Sequence, residues 1–289
     1  MKILLTGASG QLGAYLLEQL IADGHKVEAW SLRAREDRCG VKFRPIDLTD
    51  ADATERALRQ TAPQAIIHAA ALSSAEAVRA DPAGANTINV EATRRIAEWS
   101  MKNGRRLVFT STDLVFDGSR PWSREDDPAI PLLIYGQTKK DAENAVLQGA
   151  TGVVARLSLL FGPSRSGRPY FFDRAIQEIR EGIPRTFFDD EFRTPLDLST
   201  AARILIELMT SDLSGLFHVA GAERVSRFEL MRRASMALGL NTELVKANRR
   251  SDQFSSHPRP ADVSLDTSKL LSVFPNLIRP SIEEAIRGR

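Results

Sequence analysis

The sequence has little of several features that would point to particular classes of protein. It contains one cysteine, Cys39, so an internal disulfide framework and a cysteine-based metal site are both excluded. The histidines, at positions 25, 68, 218 and 257, show no metal-ligand spacing. The 39 basic and 37 acidic side chains leave a formal charge of +2, which gives no electrostatic basis for binding nucleic acid.

Long apolar runs are also missing. No run is long enough to cross a bilayer, and the first residues predict a strand rather than a basic-then-apolar leader. With 43% hydrophobic residues, the chain can nevertheless bury a substantial core. We therefore expect a globular, cytoplasmic protein that does not bind membranes.

What is present begins with a glycine-rich turn, Thr6-Gly7-Ala8-Ser9-Gly10-Gln11-Leu12-Gly13. Residues 2–5 predict a short buried strand before it, and residues 14–21 an amphipathic helix after it. Gly7 allows a tight turn, Gly10 a close approach to a pyrophosphate, and Gly13 close packing of the helix on the strand. The alternative is a glycine turn without a ligand, but the flanking periodicities favour a dinucleotide site.

Beyond this turn, apolar strand-like runs alternate with helical periodicity, which predicts an α/β fold with a doubly wound parallel sheet, a Rossmann fold. The predicted strands are 26–31, 41–46, 65–70, 106–111 and 152–157, and the longest predicted helix is 85–103. After Gly162 the pattern is interrupted by prolines and glycines. We place a nucleotide-binding domain at 1–162 and a smaller C-terminal substrate-binding lobe at 163–289. The segment 216–221 predicts a further strand that could return to the main sheet.

Tyr135 and Lys139 lie four residues apart, so on a helix they share one face. A tyrosine titrates near pH ~10, and a nearby ammonium lowers that pKa by stabilising the phenolate. We expect Lys139 to act on Tyr135 in this way. The pair alone is weak evidence, because many solvent-exposed helices contain the same spacing.

Several motifs together resemble the extended short-chain dehydrogenase/reductases. The glycine turn matches their TGxxGxxG pattern, and the other matching segments are Asp47-Leu48-Thr49-Asp50, His68-Ala69-Ala70-Ala71 and the helix segment around Asn89. Residues 111–118 resemble the signature of the dTDP-4-dehydrorhamnose reductase branch, as do Arg259-Pro260 and residues 264–270. This resemblance implies a dehydrogenase fold and an NAD(P)-dependent oxidoreductase.

The resemblance also implies roles for individual residues. Thr112, Tyr135 and Lys139 would be catalytic: Thr112 bonds the reacting oxygen, Tyr135 supplies the proton, and Lys139 also bonds the nicotinamide ribose. The implied cofactor contacts are Gly7, Gly10, Gln11, Leu12, Gly13, Ser31, Arg33, Asp47, Leu48, Ala69, Ala70, Ala71, Tyr135 and Lys139. As an alternative, Thr112 caps a strand end and Asp113 a following turn.

The end of the second predicted strand bears on the choice of cofactor. An NAD site places a carboxylate there to bind the ribose 2′-hydroxyl, but this chain has Ser31, followed by Arg33 and Arg35. An arginine fork binds a 2′-phosphate that a carboxylate would repel. We therefore predict NADP(H) in preference to NAD(H). The alternative is that both arginines are solvated and either cofactor binds.

The substrate is specified less well. The resemblance places Asp113 and Leu114 at the substrate, and Arg193 and Arg259 are candidates to bind a diphosphate unless they form ion pairs with Asp197 or Asp262. Leu114 and Leu159 replace a tyrosine and a tryptophan of the rhamnose-forming reductases. Aliphatic side chains neither donate hydrogen bonds nor offer a flat face to a sugar, so dTDP-4-dehydrorhamnose itself is not the expected substrate.

Four phenylalanines of the C-terminal lobe could form a lid or a stacking surface, but their spacing is more typical of core. They are Phe171, Phe172, Phe187 and Phe188.

The sequence thus predicts an NADPH-dependent reductase of a nucleotide-linked keto sugar or related carbonyl compound. Two other functions stay open: an NADP-binding regulatory subunit similar to the methionine adenosyltransferase beta subunit, and a nucleotide-sugar epimerase. The resemblance further implies a homodimer that packs the helices before and after the fifth strand against their copies. Ile96, Trp99 and Ala142 would then lie in the interface.

Overall fold

The structure is a computed structural model that describes residues 1–252 and 258–288. His257, one of the four histidines, lies outside the described residues. Where the structure describes the chain, no helix is long and apolar enough to cross a membrane. The same residues include no group of three or more histidine, cysteine, aspartate or glutamate side chains suited to a metal ion.

A seven-stranded, wholly parallel sheet forms the centre of the molecule. Its strands are β1 (Lys2–Thr6), β2 (Lys26–Ser31), β3 (Phe43–Pro45), β4 (Ala65–His68), β5 (Arg106–Thr112), β6 (Gly152–Leu157) and β11 (Gly215–Val219). Their order is β11-β6-β5-β4-β1-β2-β3. The direction of winding reverses between β1 and β4, and a crevice for a ligand forms beyond the carboxyl ends of strands at such a point. The predicted doubly wound parallel sheet is confirmed.

Helices cover both faces of this sheet or pack together in the C-terminal lobe. They are α1 (Gln11–Ala22), α2 (Ala51–Thr61), α3 (Ala75–Ala80), α4 (Pro82–Asn86), α5 (Ala92–Lys102), α6 (Ile134–Leu147), α7 (Phe171–Arg180), α8 (Leu198–Thr210), α9 (Arg227–Ala237), α10 (Ser268–Val273) and α11 (Ile282–Arg287). Alternate residues of β1 enter opposite cores, because successive strand side chains point to opposite faces. Ile3 and Leu5 pack in the core that includes α1 and α8, whereas Leu4 packs in the core of α2, α5 and α6.

The remaining strands are short and pair locally outside the main sheet. They are β7 (Leu160–Phe161), β8 (Arg185–Phe188), β9 (Phe192–Arg193), β10 (Leu196–Asp197), β12 (Val225–Ser226) and β13 (Val245–Asn248). A third core joins α7, α9 and α11, and Phe172 is buried in it, with Phe171 and Phe187 packed against it. The strand predicted at 216–221 is β11, which pairs in parallel with β6 over Gly215–Val219. The C-terminal part of the chain therefore contributes a strand to the nucleotide-binding sheet.

The predicted helix 85–103 is wrong in detail. It divides into α4, a π-helical turn over Thr87–Glu91, and α5. The strand predicted at 65–70 ends at His68, so Ala69 and Ala70 lie in the loop that follows. Both differences place loop or wide-turn backbone next to the crevice.

The helix faces proposed for dimerisation are also partly wrong. Ile96 and Ala142 are both 0% exposed in the single chain, where they pack in the core beneath α5 and α6. Trp99 is half-buried against the same core. Side chains already buried within one chain cannot form an interface with a second copy.

Candidate active site

A cavity of about 670 Å³ lies at the point where the strand order reverses. The predicted cofactor residues that line it are Gly7, Gly10, Gln11, Leu12, Gly13, Ser31, Asp47, Leu48, Ala69, Ala70, Ala71 and Tyr135. The C-terminal lobe supplies further lining residues, Arg168, Tyr170, Phe171 and Leu198, of which the sequence had suggested only Phe171. Another cavity, of about 700 Å³, lies beside α7 and shares no lining residue with this one.

The glycine turn is shaped to bring backbone close to backbone. Gly7 has a φ of +68°, and a Cβ there would lie 2.7 Å from the carbonyl carbon of Ala69. Only glycine therefore fits between β1 and the loop after β4. The turn continues into α1, where the Gly10 carbonyl accepts from Ala14 N–H. The N-terminal end of α1 thus borders the cavity with the partial positive charge that suits a phosphate. These features fit a dinucleotide.

Tyr135 and Lys139 both lie on α6, but only Tyr135 lines the cavity, whereas the predicted cofactor residue Lys139 is buried behind it. Tyr135 also borders a smaller recess of about 160 Å³, which is lined by Val78, Arg79, Leu132, Leu133, Ile134 and Pro258. Lys139 is 1% exposed, and its Nζ lies 3.9 Å from the centre of the Phe109 ring. Burial lowers the pKa of Lys139 to about 7, while the Glu143 carboxylate one turn later opposes that shift.

Thr112 ends β5, and its hydroxyl has two partners within the chain. It accepts from Leu114 N–H at 3.2 Å and donates to Asp113 Oδ1 at 3.3 Å. Thr112 therefore caps the turn over Asp113–Val115, a role that the alternative interpretation had given to Asp113. This capping does not exclude a role with a ligand, because a hydroxyl also has lone pairs and a rotatable proton.

The pKa of Tyr135 is shifted in the direction opposite to the expected one. Burial raises the pKa of the Tyr135 phenol, and the nearby Asp113 carboxylate raises it further. Sequence reasoning placed Asp113 at the substrate and did not consider its charge on the tyrosine. Tyr135 is thus firmly protonated at neutral pH, which suits a proton donor and disfavours a phenolate.

Arg193 belongs to a buried ion pair. Its Nη1 donates to Asp113 Oδ1 at 2.8 Å, and its Nη2 lies 3.4 Å from Glu191 Oε1. Asp113 also accepts from Ser158 Oγ at 3.0 Å. The partners of Arg193 are therefore Asp113 and Glu191, not the expected Asp197 or Asp262. An arginine held in this way fixes the turn after β5 instead of facing a ligand.

Arg259 is more open. Its side chain is 43% exposed, and its Nη1 lies 3.5 Å from Glu191 Oε2. Arg227 approaches the same carboxylate at 3.4 Å, so Glu191 is shared by three arginines. Asp262, the other carboxylate considered, pairs with Arg224. Asp113 and Glu191 supply two negative charges against three guanidinium groups, so this cluster keeps an excess of positive charge.

His68 connects β1 to α5. Its Nδ1 lies 2.6 Å from Thr6 Oγ1, and its Nε2 lies 3.0 Å from Thr93 Oγ1. Thr93 donates its own proton to the Asn89 carbonyl, so we assign the histidine proton to Nε2. Burial, with a smaller contribution from the charge of Lys139, lowers the pKa of His68 to about 3. The ring is therefore a neutral, fixed link.

Asn89 continues this network from the π-helical turn to the helix of Tyr135. Its side chain accepts from Leu72 N–H at 2.8 Å and donates to the Leu72 carbonyl at 3.1 Å. It also donates to Thr138 Oγ1 at 3.0 Å, and Thr138 donates to the Tyr135 carbonyl at 2.8 Å. These hydrogen bonds fix the loop after β4 relative to the start of α6. π-helical turns are frequently found at functional sites.

Of the predicted selectivity residues, Ser31 lines the cavity, whereas Arg33 follows two residues later and is not among the lining residues. The Ser31 hydroxyl donates to the Arg33 carbonyl at 2.7 Å. Arg33 and Arg35 are exposed. The residue that ends β2 is therefore Ser31 and not a carboxylate, and two exposed arginines follow it.

The sheet topology, the glycine turn and the tyrosine–lysine helix define a class: the chain is an extended short-chain dehydrogenase/reductase of the dTDP-4-dehydrorhamnose reductase-like branch, a class of NAD(P)-dependent oxidoreductases. The model of the RmlD substrate binding domain family matches residues 1–287, and the chain belongs to that family. The class expected from the motifs is confirmed.

Two kinds of relative are similar in sequence. Methionine adenosyltransferase 2 subunit beta of Pongo abelii is 30% identical over 278 residues, which cover 93% of this chain and 81% of the relative. A probable dTDP-4,6-dihydroxy-2-methyloxan-3-one 4-ketoreductase of Streptomyces antibioticus is 29% identical over 264 residues, covering 90% of this chain and 85% of the relative.

Solved structures agree with the fold. The dTDP-4-dehydrorhamnose reductase of Bacillus anthracis, solved in complex with NADP, has a TM-score of 0.88 at 24% identity, covering 99% of this chain and 97% of that one. A hypothetical dTDP-4-dehydrorhamnose reductase from Sulfolobus tokodaii has a TM-score of 0.84 at 29% identity and covers 98% of both chains.

Proposed function

We propose that the protein is an NADPH-dependent reductase that transfers hydride to the carbonyl group of a nucleotide-linked keto sugar or a related carbonyl compound. The main supporting observation is that Tyr135 borders both the dinucleotide-sized cavity and the smaller recess. One protonated phenol is thus shared by a cofactor side and a substrate side.

In this proposal the bound cofactor supplies the hydride, and the chain supplies position and a proton. Tyr135 donates its proton to the carbonyl oxygen as that oxygen gains negative charge, which yields the alcohol. Thr112 rotates its hydroxyl from Asp113 to the same oxygen. The Lys139 ammonium stabilises the phenolate that remains.

NADPH oxidation by the purified chain, with a panel of nucleotide-linked 4-keto sugars and simple carbonyl compounds, tests this function. Tyr135→Phe is expected to lower kcat by about 10²- to 10⁴-fold, the contribution of general acid catalysis, with little change in NADPH affinity. Tyr170→Phe is the matched control, because Tyr170 lines the same cavity but donates to the Gly162 carbonyl. Equal kcat values for Tyr135→Phe and the wild type would exclude Tyr135 as the proton donor.

The preference for NADPH rests on Ser31 and the exposed Arg33. Removing a guanidinium that binds the 2′-phosphate is expected to weaken NADPH binding about tenfold and to leave NADH binding unchanged. Fluorescence titration of Arg33→Ala with both coenzymes measures this. If Arg33→Ala lost affinity equally for both coenzymes, or if the wild type bound NADH more tightly than NADPH, the preference for NADPH would be contradicted.

The substrate side supports a carbonyl compound other than dTDP-4-dehydrorhamnose. Leu159 lines the main cavity, and Leu132, Leu133 and Ile134 line the recess beside Tyr135. These aliphatic side chains suit a deoxygenated sugar or an apolar ketone better than a hydroxyl-rich ring. Arg259 remains the candidate for a substrate phosphate, since Arg193 is committed to Asp113.

A regulatory role is the second candidate, because subunit beta of methionine adenosyltransferase 2 is among the relatives at 30% identity. A regulatory subunit would bind NADPH tightly, oxidise it with none of the panel, and co-purify with a protein partner. Net NADPH consumption with any substrate separates the reductase from this function and from an epimerase, which returns its hydride.

A further inference from the structure

The segment 163–170, which we call the strap, connects β7 to α7 and closes on itself. The Asp173 carboxylate accepts from Ser164 N–H at 2.7 Å and from Tyr170 N–H at 3.1 Å. One carboxylate therefore holds both ends of the strap. The Arg168 carbonyl within it also accepts from Ser164 Oγ at 2.8 Å, which fixes the backbone at that residue.

The strap is fastened to the glycine turn and to α1. Gln11 Nε2 donates to the Arg168 carbonyl at 2.6 Å, and Arg168 Nη2 donates to the Ser9 carbonyl at 2.9 Å. Tyr15 donates its hydroxyl proton to the Pro163 carbonyl at 2.8 Å. A segment of the C-terminal lobe thus lies directly against the backbone that borders the dinucleotide cavity.

Arg168 supplies a positive charge to the lining of the cavity. Among the described residues that line the cavity, Arg168 has the one cationic side chain and Asp47 the one carboxylate. The Arg168 side chain is exposed, and the acceptor that the structure gives it is the neutral Ser9 carbonyl. A guanidinium has further N–H donors arranged to bind phosphate oxygens in pairs.

We propose that Arg168 binds the pyrophosphate of the dinucleotide, so that the strap and the glycine turn hold this group from two sides. The inference rests on the proposed function, since it requires a dinucleotide in the cavity. The turn offers backbone N–H groups and the end of a helix dipole, and Arg168 adds a full charge from the other lobe. Because NADPH and NADH share the pyrophosphate, Arg168 contributes to affinity for both and not to selectivity.

The test is Arg168→Gln, titrated with NADPH, NADH and ADP-ribose. The loss of one charge-assisted contact is expected to raise all three dissociation constants about tenfold and to leave the ratio between the two coenzymes unchanged. Arg168→Lys keeps the charge without the fork, so its constants are expected to lie between those of Arg168→Gln and the wild type. Thermal unfolding without ligand verifies that the variants are folded.

Arg165→Gln is the matched control on the same strap. Arg165 pairs with Glu18 at 2.6 Å and lies over the Tyr15 ring, and it does not line the cavity. Its dissociation constants are expected to stay within about twofold of the wild type. Arg33→Ala is expected to lose affinity for NADPH alone, in contrast to Arg168→Gln, which is expected to lose affinity for both coenzymes.

The outcomes separate the inference from the function beneath it. Wild-type affinity for both coenzymes in Arg168→Gln would overturn the inference and leave the function intact. A loss confined to NADPH would also overturn it, because Arg168 would then bind the 2′-phosphate. A wild-type chain that binds neither coenzyme would overturn the proposed function itself.

Discussion

Lys139 is almost fully buried, and its ammonium lies over the Phe109 ring. Burial disfavours its charged form, which lowers its pKa to about 7, inside the physiological range. A cofactor that bonds the ammonium would favour the charged form again. Binding and protonation at this residue should therefore depend on each other.

We predict that NADH binding weakens as pH rises through about 7. Below that pH the free protein already has the Lys139 proton. Above it, binding must take up a proton, so the dissociation constant should increase about tenfold by pH ~8. NADH is the appropriate ligand, because the 2′-phosphate of NADPH itself titrates near pH ~6. Isothermal titration calorimetry at several pH values measures the effect and the proton uptake.

Lys139→Met should abolish this pH dependence, whereas Lys140→Met, at the neighbouring half-buried lysine, should retain it. If the dissociation constant of NADH depended on pH equally in Lys139→Met and in the wild type, another group would be the one that titrates.

The sequence predicted residue types at the site better than their electrostatic surroundings. The glycine turn, Tyr135 and Lys139 are identifiable because each is part of a contiguous motif. The pKa shift of Tyr135 was predicted with the wrong sign, since it depends on burial and on the nearby Asp113 charge. Arg168 could not be identified at all, because its contact with Ser9 joins residues 159 positions apart in the chain.

At the scale of elements, the regular strands were predicted well and the irregular turns were not. β2 and β6 have the predicted bounds, because runs of apolar residues between turn residues define them. The π-helical turn over Thr87–Glu91 has no comparable signal in sequence. Its position is explained only by Asn89, which the wide turn directs at Leu72 and Thr138.

We predict that Asn89→Ala lowers the free energy of unfolding by about 1–3 kcal/mol, because the half-buried Leu72 backbone groups lose their partner and the buried Thr138 hydroxyl loses its donor. Asn86→Ala, at an exposed position three residues earlier, should change it by less than about 0.5 kcal/mol. Urea unfolding measures both. A matching effect in the two variants would mean that the Asn89 network contributes no net stability.

At the scale of the whole molecule, the two lobes are connected in both directions. β11 returns to pair with β6, and the strap crosses back to the glycine turn. Residues from both sides of Gly162 therefore line the main cavity. The change of sequence pattern at Gly162 does not correspond to a separation between two independent structural units. The C-terminal lobe should not be separable from the cofactor site.

The homodimer stays a prediction, but the structure restricts the surface available for it. Because Ile96 and Ala142 are buried within the chain, association through α5 and α6 must use outward residues such as Met101, which is 50% exposed, and Leu147, which is 41% exposed. Sedimentation equilibrium is expected to give about twice the 31.9 kDa chain mass at micromolar concentration.

Met101→Glu combined with Leu147→Glu should shift that equilibrium to monomer, since it places charges in an interface that excludes water. Ile130→Glu is the control: it alters a 58% exposed residue in the loop before α6 and should leave the dimer intact. A monomeric mass for the wild type would contradict the predicted homodimer. Dissociation by Ile130→Glu alone would instead assign the interface to the surface near Tyr135, where it would restrict access to the recess.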